Sequence, residues 1–383
     1  MHALGEYGIH EGRGFLPAED PLRELPQALG CWDELAYELP KLLASGRVRY
    51  FLKQMPLLDP LPYLATDATW RRAMQVLSYF GHAWVWGEEP PADTLPEAIA
   101  LPWYMVAQHL GRPPVLSYAS YALDNWYRLE KEGPIDLGNI ALIQNFLGGL
   151  DEEWFILVHV AIEAAAAPAL RQLPRLVSAV EEENLTEAEA ALEAIIPALE
   201  AMYRILLRMP ERCDPYIYYN RVRPYIHGWK DNPSLPNGVI YEGVAAYEGK
   251  PQRFRGETGA QSSIIPALDA ALGIRHAEDP LRVYLREMRT YMPPKHRAFI
   301  EDLEQYEINN DFFNRTMRLR TLYNEAIHWI EQFRTKHLEY AAQYIARQHQ
   351  RSLANPTSVG TGGTPFMPYL AKHRDETSAH KLS

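Results

Sequence analysis

The stretch AIHWIEQFRTKHLEYAAQY, residues 326–344, decides the fold. Ala326, Ile330, Phe333, His337, Ala341 and Tyr344 recur at steps of four and three, the spacing that lines side chains along one face of an α-helix. The pattern predicts a helix from about Asp311 to His349 with His337 in the middle of its apolar stripe. A histidine so placed is commonly a core residue with a satisfied hydrogen bond. Its functional alternative is an axial ligand to a metal or haem iron, because a neutral imidazole in an apolar cavity ligates iron well. Arg334 lies one turn earlier on nearly the same face, suited either to a surface ion pair or to a carboxylate such as a haem propionate.

Working outward, the same 3.6-residue period runs through 151–170, 174–208, 261–273 and 279–292, with no matching set of alternating β-branched runs. The fold class expected is therefore all-α. Asn184-Leu-Thr-Glu187 reads as a break with a fresh helix start at Thr186. The first third carries many of the 30 prolines, which predicts short helices and loops there. The texture thus changes at about residue 147, from the proline-rich 1–146 to the long helical segments of 147–383. Two irregular stretches interrupt the second part, Gly228 to Gly259 and Leu353 to Pro368; the latter has the Gly, Ser and Thr content of a mobile lid.

Composition narrows the function. The 383 residues are 47% hydrophobic and 23% charged, enough to bury a large core. A net charge of -11 disfavours a nucleic-acid or anionic-membrane partner, since no sequence-wide basic field exists. The most apolar run, Trp154 to Leu170, is short for a membrane span and carries His159 and Glu163, so it reads as a core helix. Two cysteines, Cys31 and Cys213, exclude a disulfide scaffold and fit a reducing, cytoplasmic setting. No signal peptide, haem-attaching Cys-x-x-Cys-His, Gly-x-Ser-x-Gly, His-Glu-x-x-His or dinucleotide fingerprint is expected from these residues, and Gly360 to Thr364 is only superficially a phosphate loop.

His159 and Glu163, four apart on an otherwise apolar helix, share a face and need partners if buried. They read as a structural polar pair, a metal pair, or a distal-pocket histidine with a supporting glutamate. Arg221, Arg223, Tyr218 and Tyr219 form a cationic and aromatic cluster suited to an aromatic amino acid, or to a plain protein surface.

Several longer strings, in order, make the chain recognisable: YGIHEGRGFLP (7–17), GRPPVLSYASYALDNW (111–126), GWKDNPSLPNGVIYEGV (228–244), RGETGAQSSIIPALDAALGI (255–274), FRTKHLEYAAQYI (333–345) and GTGGT (360–364). Together they resemble the indoleamine 2,3-dioxygenase family over almost the whole length. The resemblance implies an all-helical protein binding haem b, a small-molecule substrate (L-tryptophan or a related indole) and O₂. It implies His337 as the proximal iron ligand, with Arg334 and Asp269 beside it supporting a propionate. It assigns Arg223 to the substrate carboxylate, Tyr118, Phe155 and Tyr218 with Tyr219 to the pocket walls, Thr258 and Gly259 to the haem edge, and Thr361 to the closing loop. His159 departs from the small serine of mammalian members and resembles the distal histidine of tryptophan 2,3-dioxygenases. Tyr121 likewise stands where the mammalian pocket has a small residue. The reaction implied is insertion of O₂ across the indole C2–C3 bond to give N-formylkynurenine. Oxygenation or rearrangement of a tryptophan derivative, and non-catalytic gas binding, are the alternatives.

Overall fold

A computed structural model of the chain describes residues 1–350 and 352–383. Among the described residues the protein is all-α, and its only strands are four pieces of two or three residues. Seven helices frame the centre: α1 (Asp67–Trp86), α2 (Glu97–Leu110), α3 (Leu150–Glu181), α4 (Leu185–Leu206), α5 (Ile264–Ala271), α6 (Met317–Ala341) and α7 (Phe366–Ser378). α3 packs along α4 and against α5; α6 packs on α4 and α7; α1 packs on α2.

Helix α3 is long and apolar enough to cross a membrane, but 67% of its most apolar window is buried inside the protein. Its two sides serve two apolar cores. Ile156, Leu157, Val160 and Ala161 join the core built by α1 and α2, while Trp154, Val158, Ile162 and Ala166 join the core built by α4 and α6. The 3.6-residue period turns successive residues toward opposite cores, so α3 is the wall they share.

Proline is a poorer guide than expected. Pro40, Pro102, Pro168, Pro174 and Pro197 all lie inside helices, and α1 and α2 are long and regular in the proline-rich first third. An interior proline forfeits one backbone hydrogen bond and strains the turn before it, and the burial of these helices against their neighbours outweighs that cost. The expected break between 170 and 174 is therefore absent, and α3 runs unbroken to Glu181. The next helix starts earlier than Thr186: Asn184 is its cap, its side-chain oxygen accepting from the Glu187 amide at 3.2 Å. The C-terminal stripe helix also starts later than Asp311. Thr316 caps it through the Leu319 amide at 3.1 Å, after a separate turn at Asn310–Phe313. Beyond Ala341 it widens into a π-helical turn, Ala342–Ala346. The 353–368 segment is irregular only as far as Pro365, and α7 begins at Phe366.

Two irregular segments cross at a point where neither can carry a side chain. A Cβ on Gly228 would lie 2.1 Å from the Gly256 nitrogen, and one on Gly256 would lie 2.2 Å from the Gly228 nitrogen. The Glu257 amide bonds the Ile226 carbonyl at 3.0 Å beside this crossing. Gly256→Ala should thus destabilise the protein by about 1–3 kcal/mol through a backbone clash that no rotamer relieves. A chemical denaturation curve measures this, and an unchanged midpoint would contradict the packing described.

Candidate functional site

A cavity of about 770 Å³ opens between α3, α5 and α6 and the 257–262 and 360–364 segments. Of the residues assigned to a site from the sequence, His337, Arg334, Asp269, His159, Tyr118, Phe155, Tyr218, Thr258, Gly259 and Thr361 line it, and Arg223, Tyr219 and Tyr121 do not. Residues from 118 to 364 thus converge on one space. Three π-helical turns, Ala119–Leu123, Tyr218–Val222 and Ala342–Ala346, bring Tyr118, Tyr218 and Tyr344 to its border, in keeping with the use of π-turns to re-aim side chains at sites.

α6 supplies one wall. Ala326, Ile330, Ala341 and Tyr344 of its stripe are buried in the core as the periodicity requires, whereas the His337 ring opens onto the cavity. Among the described residues His337 has no hydrogen bond or ion pair. Burial, with repulsion from His159, pushes its pKa down to about 4, so it is neutral at pH 7 with a nitrogen lone pair to offer. Next to it Arg334 pairs with Asp269 at 2.6 Å and donates to the Thr377 hydroxyl. Burial opposes ionisation of Asp269, yet Arg334 and His276 overcome it and hold the carboxyl well below its ordinary range. His276 faces Asp269 at 3.1 Å and Glu376 at 2.6 Å. His276, His373 and Glu376 lie close together beside this pair, with His276 bonded to both Asp269 and Glu376.

α3 supplies the opposite wall. His159 Nδ1 lies 2.7 Å from the Phe155 carbonyl. A carbonyl can only accept, so Nδ1 carries the proton and Nε2 is left as an acceptor. Burial lowers the His159 pKa, with the Phe155 bond acting the other way, and the ring is neutral. The Phe155 ring packs tilted at 4.7 Å from both the His159 and the Tyr218 rings, and Tyr118 stands 6.0 Å from His159. Glu163 turns away from the cavity. One of its oxygens accepts from the Tyr118 hydroxyl at 2.9 Å and the Ser262 hydroxyl at 2.8 Å, while burial raises its pKa to about 7. Glu163 thus anchors the pocket's Tyr118.

Arg223 is fully buried just behind this wall, and its contacts are with the 355–359 loop. It donates to the Pro356 carbonyl at 2.9 Å, the Val359 carbonyl at 2.5 Å and the Asn355 side chain, while its Nε has no partner. No carboxylate pairs with it among the described residues, and burial lowers its pKa to about 10. A desolvated cation served only by neutral oxygens is a place where an anion is strongly favoured. Tyr219 does not line the cavity; its hydroxyl holds the Asn355 carbonyl at 2.5 Å. Tyr121 is buried against Phe155 with ring centroids 6.4 Å apart, and its hydroxyl has no partner.

One cavity residue escaped the sequence reading. Glu257 is 4% exposed and lines the cavity, and its carboxyl has no hydrogen bond or ion pair among the described residues. Its signal in the sequence was a lone acid in the otherwise neutral run 256–263, GETGAQSS.

The arrangement suits a flat, largely apolar cofactor with an acidic edge. The neutral His337 imidazole, unpartnered among the described residues, is joined by apolar lining residues such as Ile162, Ile264, Ile265 and Phe333 and by arginines 334, 282 and 286. Fold and site together define a helical protein organised around a histidine-bearing internal cavity. The family model described as indoleamine 2,3-dioxygenase matches residues 3–380, and the chain belongs to that family. Among its relatives, indoleamine 2,3-dioxygenase 1 of Rattus norvegicus is 36% identical, over 99% of this chain and 96% of the relative. Indoleamine 2,3-dioxygenase 2 of Mus musculus is 35% identical over 98% and 94%. The 6-hydroxytryptophan 2,3-dioxygenase of Fusarium equiseti is 33% identical over 98% and 97%.

The Arg334–Asp269 pair carries a direct test. Arg334→Met leaves a buried carboxylate without its main partner and should cost about 3–5 kcal/mol at pH 7. Because the Asp269 pKa is depressed on folding, the pair contributes stability above the unfolded value near ~4, and this is lost as pH falls through the folded value. The gap between parent and variant should therefore be full at pH 7 and close progressively below about pH 4. Urea melts across that range measure it, and a pH-independent gap would contradict the pairing.

Proposed function

We propose that this chain is a haem b-dependent dioxygenase that inserts both atoms of O₂ across the C2–C3 bond of L-tryptophan, giving N-formylkynurenine. The observation that carries the reading is the neutral, unpartnered His337 imidazole opening onto a cavity faced by His159, in a chain of the indoleamine 2,3-dioxygenase family. Haem held by His337 supplies, when bound, the iron chemistry that allows O₂ to react with an indole ring.

The chain's own residues do the positioning. The Arg334–Asp269 pair steadies α6 beside the ligand and offers a guanidinium to a propionate. Arg223 takes the substrate carboxylate, exchanging loop carbonyls for a charge-assisted bidentate partner. Phe155, Tyr218 and Tyr118 give the indole its flat walls, and the Nε2 lone pair of His159 accepts the indole N–H. Thr258 and Gly259 approach the cofactor edge. The 355–364 loop, tied to Arg223, to Tyr219 and through Thr361 to the Glu257 carbonyl, excludes water. Residues 1–146 act as the smaller domain covering the distal side, to which Tyr118 belongs. Free Cys31 and Cys213 support a reducing, cytoplasmic setting.

The Fusarium equiseti relative, named for 6-hydroxytryptophan, favours one second reading: a ring-substituted tryptophan as substrate.

The reading is tested by supplying the haem-loaded protein with L-tryptophan under ¹⁸O₂. The product expected is N-formylkynurenine carrying both labelled atoms; tryptophan binding without that product would overturn it. Arg223→Ala should weaken substrate binding by about 2–5 kcal/mol and leave carbon monoxide binding intact. Unaltered discrimination between tryptophan and its decarboxylated analogue would contradict the carboxylate role.

A further inference from the structure

Among the described residues, a buried arginine and a buried glutamate at or beside the cavity lack a partner of opposite sign. Arg223 is 0% exposed and touches only neutral oxygens, while Glu257 is 4% exposed and touches none. The position of Glu257 is set by packing. Its amide is bonded to Ile226, its carbonyl accepts the Thr361 hydroxyl, and the preceding residue is pinned at the Gly228–Gly256 crossing. The titratable groups within electrostatic reach are the phenols of Tyr79, Tyr118, Tyr121 and Tyr218, all neutral because burial raises their pKa values. The nearby cation in sequence, Arg255, is spent on Glu287 at 2.8 Å and on the Gly362 carbonyl at 2.6 Å.

We propose that Glu257 receives the α-ammonium group of the substrate, so that Arg223 and Glu257 together select a zwitterionic α-amino acid over indoles carrying only one of the two charges. This deepens the tryptophan reading above and rests on it. An α-amino acid carries an anion and a cation on one carbon, and it alone satisfies both buried groups at once. An amine without a carboxylate leaves Arg223 unpaired, and an acid without an amine leaves Glu257 unpaired. Specificity built on buried polar groups is steep because the wrong ligand strands one of them in a desolvated site. Burial alone pushes the Glu257 carboxyl up to about 8, and an ammonium partner is what returns such a group to its charged form.

The experiment measures equilibrium binding of L-tryptophan and of indole-3-propionate, which lacks only the amine, to the ferric haem-loaded protein, which does not turn over. Glu257→Gln keeps the shape and removes the charge. It should weaken L-tryptophan by about tenfold to a hundredfold while moving indole-3-propionate by no more than about twofold. The parent alone gives a second check: L-tryptophan must bind at least about tenfold more tightly than indole-3-propionate, and equal affinities overturn the assignment even if the variant does not fold. A parent that prefers L-tryptophan, with Glu257→Gln shifting both ligands alike or neither, overturns the ammonium role and leaves the tryptophan reading standing. A parent that binds neither compound overturns both.

Discussion

The site depends on α3 being the wall that two apolar cores share. Where its residues are packed between the two cores, a polar group buried on it must be satisfied locally or face a cavity. Glu152 is satisfied by the amides of Phe146, Leu147 and Gly148 at 2.7, 3.1 and 3.1 Å. Glu163 is held through one oxygen by Tyr118 and Ser262. His159 bonds its own helix through one nitrogen and turns the other to the open space. The apolar wall that joins the cores is thereby also the scaffold that fixes the tautomer and direction of the distal histidine.

Opposite it, α6 is less constrained. Its stripe is buried above and below His337 but gives way to the cavity at that residue, and the ion pair from Arg334 to Asp269 ties the same turn to α5. Both imidazoles are held neutral by burial, which suits one to ligate a metal and the other to accept a hydrogen bond. The ionisable groups without a partner of opposite sign among the described residues lie elsewhere, on Arg223 and Glu257, beside the loop that carries Thr361. Ligation and substrate charge recognition are thus assigned to separate elements.

Much of this was legible in the sequence because it rests on periodicity and on long ordered motifs. The stripe through His337 needed only the 3.6-residue repeat, and the need of His159 and Glu163 for partners on an apolar helix needed only their setting, although the two find separate partners. Proline content misled, since α3 runs on through Pro168 and Pro174, held by the residues it packs into two cores. The start of α4 was placed two residues late because Asn184 and Thr186 are both good caps, and only the bond to the Glu187 amide distinguishes them. Glu257 stayed hidden for a deeper reason: what marks it is the absence of any partner in a buried place, which is a property of three elements together. The same holds for Arg223, whose engagement with Asn355, Pro356 and Val359 depends on a contact across more than 130 residues of chain.

The central claim, that the cavity is a haem site ligated by His337, is tested most directly by resonance Raman spectroscopy of the ferrous haem-loaded protein and of His337→Gly with and without added imidazole. The account predicts an iron–histidine band in the parent, its loss in the variant, and a shifted iron–imidazole band on adding imidazole. An unchanged iron–histidine band in His337→Gly would contradict it.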